Sequence, residues 1–124
     1  MLQRRDLTER IIGAAIEVHR TAGPGLLESV YKECLCDELA EAGISFQREV
    51  MIPVTYKART LAVGFRADIL VASAVILEIK AVAALLPTHD AQIITYLRMS
   101  QYRIGLLMNF HALRLKDGLR RFVL

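Results

Sequence analysis

The chain of 124 residues contains no tryptophan, two cysteines, three prolines and seven glycines. The scarcity of proline and glycine excludes collagen-like and linker-like segments. No apolar run approaches the roughly 18–20 residues that a membrane span requires, so no membrane partner is expected. Cys34 and Cys36 lie two residues apart in a helical pattern, where their side chains point in different directions. A disulfide between them is therefore not expected, and both are predicted to be core residues in a reducing cytosol.

What the sequence does have is the composition of a folded domain. Hydrophobic residues make up 54% and charged residues 23% of the chain, which excludes an intrinsically disordered protein. The length fits one domain over residues 1–124. The formal net charge of +3 permits a polyanionic partner without requiring one. No apolar segment follows the charged N-terminus, so we expect a cytoplasmic protein without a secretory signal.

Apolar residues at helical spacing predict three helices. The first runs from about Arg5 to Arg20, and Asp6 or Thr8 is its predicted cap. The third follows Pro87, and Thr88 is its predicted N-cap.

The second helix is predicted over about 26–41 and is amphipathic. Its predicted inner stripe consists of Leu27, Val30, Tyr31, Cys34, Leu35 and Leu39. Its predicted outer, charged stripe consists of Lys32, Glu33, Asp37 and Glu41.

After the second helix the hydrophobic period changes from that of a helix to that of a strand. We predict an antiparallel meander of three strands, Phe46–Tyr56, Thr60–Val71 and Ala74–Ala81. A buried strand, Ile104–Phe110, follows the third helix. A last hairpin of residues 113–116 and 119–124 is predicted to turn at Asp117-Gly118. This order predicts an α+β domain with a mixed sheet.

Charged residues occur where the core of the meander should lie. Glu78 and Lys80 share one face of a strand that is otherwise apolar. If the preceding turn is centred on Ser73, Asp68 lies directly opposite Glu78, and Arg66 lies opposite Lys80. Like charges in such positions are destabilising unless something lies between them. A divalent cation between the carboxylates and an anion such as phosphate between the cations would meet this need.

An intrachain network of ion pairs meets the same need. Arg66 and Lys80 could neutralise Asp68 and Glu78 without any ligand, and the charge count alone does not separate the two interpretations.

Two further features favour a site over an ion-pair network. Glu28 lies on the Tyr31 side of the second helix, although a first-turn carboxylate can also be stabilised by the helix dipole. His89, Gln92 and Tyr96 form a polar stripe on the helix that follows Glu78 and Lys80. Each of these residues has an ordinary structural explanation when it is taken alone.

The pattern of Asp68 followed by Glu78-Ile79-Lys80 resembles the signature of the PD-(D/E)xK nuclease superfamily, with Ala67 where the name has proline. The predicted order of elements is similar to the αβββαβ core of that superfamily. Gln92 and Tyr96 resemble the Q-x-x-x-Y element of its RecB-like branch. The resemblance implies a single PD-(D/E)xK nuclease-like α+β domain whose mixed central sheet is flanked by helices.

A closer resemblance covers nearly the whole chain. Residues 25–31, GLLESVY, fit the motif that names the GxxExxY protein family. Residues 65–71, 75–82, 92–97 and 105–110 also resemble blocks of that family, in the same order. The family is itself placed in the PD-(D/E)xK superfamily by similarity.

The resemblance implies a metal-dependent nuclease that hydrolyses phosphodiester bonds of nucleic acid. Asp68, Glu78 and the carbonyl of Ile79 would hold Mg²⁺ or Mn²⁺, and Glu28 would reach the same ion directly or through water. Lys80 would orient the attacking water or stabilise charge on the phosphate, and Gln92 and Tyr96 would position Lys80 and the phosphate. Arg66 and His89 are candidates for supporting contacts only.

The resemblance leaves the substrate open between DNA and RNA. A nucleic-acid-binding or protein-interaction module that has lost useful turnover is the alternative function. A partner protein or a homodimer could supply the substrate groove, because a domain of this size has little room for one. Two sets of basic residues could line the route of a nucleic acid. The first set is Lys57, Arg59, Arg66, Lys80, Arg98 and Arg103; the second is Lys116, Arg120 and Arg121.

Overall fold

The computed structural model describes residues 4–124. Its elements, in chain order, are α1 (Arg5–Ala22), α2 (Glu28–Glu41), β1 (Phe46–Tyr56), β2 (Arg59–Val71), β3 (Val75–Lys80), α3 (Pro87–Met99), β4 (Ile104–Asn109), a 3₁₀ helix (Leu115–Gly118) and β5 (Leu119–Val123). No helix in this part of the chain is long and apolar enough to cross a membrane. The predicted α+β class is confirmed, and the bounds of α1, α2 and β1 to β4 lie within two residues of those expected.

The strands form one mixed sheet in the order β1-β2-β3-β4-β5. The meander from β1 to β3 is antiparallel, as predicted. The chain then crosses over through α3, so that β4 pairs with β3 in parallel. β5 closes the sheet antiparallel to β4. The central strands β3 and β4 are therefore covered on both edges, which agrees with their nearly continuous apolar sequences.

The two faces of the sheet pack against different helices. A larger apolar cluster joins α1 and α2 to the side of β3 that carries Val75, Leu77 and Ile79. A smaller cluster joins Ile76, on the opposite side of β3, to Leu97 of α3. Because side chains alternate along a strand, Glu78 and Lys80 follow Ile76 on the α3 side.

The predicted caps of α1 and α3 are both wrong. Neither Asp6 nor Thr8 caps α1, since the Thr8 hydroxyl donates to the carbonyl of Arg5 within the first turn. Thr88 does not cap α3, which begins with Pro87 after the N-cap residue Leu86. Proline suits the first helical position because its missing N–H has no partner there in any case.

The inner stripe of α2 is narrower than predicted. Tyr31, Leu35 and Leu39 are fully buried, but Leu27 is 73% exposed and Val30 is also exposed. Leu27 precedes the helix as its N-cap and so does not follow the helical rotation.

The predicted C-terminal hairpin does not form. Residues 115–118 make a 3₁₀ helix, and β5 pairs with β4 instead of with residues 113–116. Leu115 is buried in the larger cluster, and this packing prevails over the local turn signal of Asp117-Gly118. A Cβ atom on Gly118 would lie 2.6 Å from the carbonyl oxygen of Asn109, so glycine serves here for a close approach between backbones.

The β1–β2 hairpin extends beyond the rest of the sheet. The register of β2 with β3 covers only Ile69 to Val71, so the outer part of β2 pairs with β1 alone. We call this outer part, residues 50–67, the hairpin arm. Its turn has left-handed backbone at Lys57 and Ala58, with φ of 49° and 64°, which is the geometry that tight hairpins favour.

Candidate active site

Asp68 and Glu78 lie opposite each other, as predicted from a hairpin turn centred on Ser73. The β2–β3 pairs are Ile69 with Leu77, Leu70 with Ile76 and Val71 with Val75. One further step in this register brings Asp68 opposite Glu78, at the point where the two strands separate.

Beyond the last β2–β3 pair, the side chain of Asp68 bonds to the backbone of β3 in place of a backbone–backbone hydrogen bond. Its Oδ2 accepts a hydrogen bond from the backbone N–H of Ile79 at 2.7 Å. The Glu78 carboxylate accepts a hydrogen bond from the backbone N–H of Asp68, and this bond acts to lower the pKa of Glu78. The two acidic residues are thus held by each other's strands, and this fixes their carboxylates side by side.

Glu78 is the most deeply buried acidic residue in the described chain, with 6% of its surface exposed. Its pKa is raised from 4.5 to about 8, chiefly because the carboxyl group is buried and also because of the negative charge of Asp68. The positive charge of Lys80 partly opposes this shift. Glu78 Oε1 is buried without a hydrogen-bond partner in the structure, and such an atom is costly unless a ligand or a proton satisfies it.

The segment that carries Lys80 is fixed by Asn109. In the parallel ladder Lys80 lies beside Asn109, whose side chain is almost completely buried. The Asn109 amide accepts from the N–H of Val82 at 3.0 Å and donates to the carbonyl of Val82 at 2.9 Å. Asn109 cannot be recognised as a functional residue from the sequence, because a single asparagine at the end of a strand belongs to no pattern.

Tyr96 reaches the carboxylates from α3. Its ring stacks on Phe65 of the hairpin arm, with the centroids 3.7 Å apart and the planes 3° from parallel. Burial raises the pKa of the Tyr96 hydroxyl, and the charges of Glu78 and Asp68 contribute to this rise. A side-chain hydrogen bond with Gln92 acts in the opposite direction. Tyr96 thus lies close enough to Glu78 and Asp68 for their charges to act on it, and Gln92 bonds to Tyr96, whereas the roles of both residues stay predictions.

Lys32 was assigned to the outer stripe of α2, and this prediction is wrong. Its side chain is only 16% exposed, and its Nζ lies 3.6 Å from Asp68 Oδ1 and 4.0 Å from Glu49 Oε2. Helical spacing gave a weak signal for this position, because Lys32 follows Glu28 by one turn and therefore shares its face of the helix.

Arg66 pairs with Glu49. Its Nη1 lies 3.4 Å from Glu49 Oε1 on β1, and its side chain is 70% exposed. The alternative ion-pair network, in which Arg66 neutralises Asp68 or Glu78, therefore does not form, whereas a supporting role of Arg66 stays a prediction. Lys32 supplies the cation at Asp68 instead.

Glu28 and His89 make no contact with Asp68, Glu78 or Lys80 among the interactions of residues 4–124. Glu28 is the exposed first residue of α2. His89 accepts the backbone N–H of Leu86 on its Nδ1 at 2.9 Å, which stabilises the start of α3. Among residues 4–124 no three or more His, Cys, Asp and Glu side chains are grouped so that they could hold a metal ion. The metal-binding role of Glu28 therefore stays a prediction.

A comparison with protein-family models matches residues 5–122 to the PD-(D/E)XK nuclease superfamily. Searches of curated proteins and of solved structures gave no significant match. The family match runs from the first residue of α1 into β5 and includes Asp68, Glu78, Lys80 and Tyr96.

Proposed function

The chain belongs to the PD-(D/E)XK nuclease superfamily, and on this premise we propose that it is a divalent-metal-dependent nuclease that hydrolyses phosphodiester bonds of nucleic acid. The observation that carries the proposal is the carboxylate pair of the buried Glu78 and the partly buried Asp68, with Lys80 on the same face. Glu78 is 6% exposed and its Oε1 lacks a hydrogen-bond partner, which suits a carboxylate that takes up a cation or a proton.

The residues present fit a divalent cation. Two carboxylates side by side repel each other unless a proton or a cation lies between them, and Glu78 Oε1 has no hydrogen-bond partner in the structure. Hard cations such as Mg²⁺ and Mn²⁺ take oxygen ligands of this kind. Asp68, Glu78 and the carbonyl oxygen of Ile79 would hold the ion, and Glu28 would contribute through water from its exposed position. When bound, such an ion polarises a phosphodiester oxygen and lowers the pKa of a water molecule.

Lys80 would act on the phosphate and not on the metal. An ammonium group has three donors and no acceptor, so it cannot ligate a cation. The positive charge of Lys80 lowers the pKa of Glu78, which supports a position close to the carboxylate pair. A fixed positive charge at this point stabilises negative charge that develops on the phosphate during attack. The two hydrogen bonds between the Asn109 amide and the backbone of Val82 limit the movement of the segment that carries Lys80.

Gln92 and Tyr96 would orient the phosphate by hydrogen bonds. The raised pKa of Tyr96 keeps its hydroxyl protonated and able to donate near neutral pH. The stacking on Phe65 holds the ring, so that the direction of this donor is fixed.

The alternative function is a nucleic-acid-binding or protein-interaction module on the same fold. The ion pair between Lys32 and Asp68 favours it, because part of the acidic charge is neutralised by the chain itself. Turnover of a nucleic acid is the property that separates the two functions.

The experiment is an activity screen of the purified protein with Mn²⁺ against single- and double-stranded DNA and RNA. Lys80→Ala is compared with the wild type, and Arg20→Ala is the matched control, since Arg20 pairs with Glu17 on α1. We expect Lys80→Ala to lower kcat by about 10²–10³-fold or more and to leave Mn²⁺ affinity intact. The control should keep full activity.

Full activity in Lys80→Ala would contradict the role of that lysine. No cleavage of any substrate by the wild type, together with retained binding of nucleic acid, would support the binding module instead.

A further inference from the structure

Lys32 contacts one of the two Asp68 oxygens that are available to the proposed metal site. Of the two carboxylate oxygens of Asp68, Oδ2 accepts the N–H of Ile79. The other, Oδ1, is the one that faces Lys32 Nζ at 3.6 Å. A cation that binds Asp68 through Oδ1 therefore takes the oxygen that Lys32 already contacts.

Lys32 and a divalent ion cannot both hold this oxygen without repulsion. The side chains of Lys32 and Asp68 are 16% and 19% exposed, so water screens their charges poorly. The repulsion between an ammonium and a divalent ion on the same carboxylate is correspondingly large.

Glu49 offers the ammonium a second position. Its Oε2 lies 4.0 Å from Lys32 Nζ, and its side chain is about half exposed. Glu49 falls between the paired residues Arg48 and Val50 of β1, yet it is missing from the ladder with β2. Its φ of 52° is left-handed, which is costly for a residue other than glycine, asparagine or aspartate. Such strain persists where the surrounding structure requires it and is frequent at functional sites.

We propose that Lys32 is a built-in counter-ion that holds Asp68 in the metal-free protein and moves to Glu49 when a divalent cation binds. It thereby sets the affinity of the site for the metal. The inference rests on the proposed function, because it takes Asp68 as a metal ligand. It adds two residues, Lys32 and Glu49, that the sequence pattern does not assign to the site.

The test measures Mn²⁺ binding by calorimetry without nucleic acid. Lys32→Met keeps the length of the side chain and removes its charge, so we expect Mn²⁺ to bind about tenfold more tightly. Arg48→Met is the matched control, because it removes a cation from β1 that pairs with Glu33 and with neither Asp68 nor Glu49. We expect its Mn²⁺ affinity to change by less than about twofold.

Glu49→Gln tests the second position of the ammonium. It should weaken Mn²⁺ binding by about two- to threefold in the wild type, since the displaced Lys32 loses its partner. It should have no effect in the Lys32→Met background. This non-additivity is the signature of an ammonium that moves between the two carboxylates.

A second variant covers the case in which Lys32→Met does not fold. Lys32→Arg keeps the charge and offers a planar fork that binds a carboxylate more firmly. It should weaken Mn²⁺ binding, in the opposite direction to Lys32→Met.

The outcomes separate this inference from the proposed function. If the wild type binds Mn²⁺ and Asp68→Asn does not, but neither Lys32 variant changes the affinity in the expected direction, the role of Lys32 is overturned and the metal site stands. If the wild type does not bind Mn²⁺ at millimolar concentration, the metal site is overturned, and the role of Lys32 with it.

Discussion

The two faces of the sheet differ in what they bury. On the side of α1 and α2, the residues of β3 pack into an extended apolar cluster. On the side of α3, the same strand buries Ile76 in a small cluster and then presents Glu78 beside Asp68 and Tyr96. One helix covers less of a sheet than two helices do. The fold is therefore stabilised mainly on the face that packs against α1 and α2. The α3 face can keep a carboxylate pair that lowers the stability of the protein.

The largest expected effect comes from breaking the apolar face. Leu77 is fully buried in the larger cluster, one residue before Glu78. Leu77→Ala should lower the free energy of unfolding by about 3–5 kcal/mol, because it removes buried methyl groups and leaves a cavity. Chemical denaturation measures this loss. A cost below about 1 kcal/mol would mean that the larger cluster does not dominate the stability of the fold.

The next largest effect is a pH dependence of stability that arises from Glu78 on the α3 face. The pKa of Glu78 is raised from 4.5 to about 8 in the folded protein. Between these values the folded protein keeps a proton that the unfolded chain has released, so a rise in pH favours unfolding. The contribution to stability is fully present below about pH 4.5 and is lost as the pH rises through about 8.

Thermal unfolding of the metal-free protein across this pH range measures the effect, which we expect to be on the order of a few kcal/mol. Glu78→Gln carries an uncharged amide in place of the carboxyl group and should remove most of the slope. If the Gln variant keeps the slope of the wild type, another group is responsible and the carboxylate pair does not strain the fold.

Regular patterns in the sequence predicted the placement of the central acidic pair. The period of two residues along β2 and β3 and a short turn centred on Ser73 were sufficient to set Asp68 opposite Glu78. These signals are local, because a hairpin register follows from its turn and its alternation. The superfamily resemblance, which the family match confirms, predicted the helices on both sides of this hairpin.

The residues that the sequence did not reveal depend on tertiary contacts. Lys32 was assigned to a solvated stripe because charged residues on a helix usually face water, yet its stem is buried and its ammonium meets Asp68. The left-handed backbone of Glu49 has no signature in its neighbours. The turn signal at Asp117-Gly118 was strong but local, and the pairing of β5 with β4 prevailed.

The hairpin arm continues outward from the site on the side of the sheet that packs against α3. Phe65, at its base, stacks on Tyr96, and the tip at Lys57 is reached roughly 20 Å further along β2. Lys57 and Arg59 are exposed, and within residues 4–124 neither makes an ion pair with a carboxylate. By contrast, Arg120 of the second predicted basic route is paired with Asp90. Under the proposed function, Lys57 and Arg59 at the tip of the arm are the cations that we expect to contact phosphates.

The smallest expected effect tests whether the arm holds nucleic acid. Lys57→Gln should leave the fold and metal binding unchanged and weaken the binding of a labelled oligonucleotide. The logarithm of the binding constant falls with the logarithm of the salt concentration, and the loss of one phosphate contact reduces this slope by about 1. Fluorescence anisotropy between low and physiological salt measures the slope, with Arg20→Gln on α1 as the charge-matched control. An equal reduction in both variants would reflect net charge alone, whereas a reduction only in Lys57→Gln places the nucleic acid along the arm and on the α3 face.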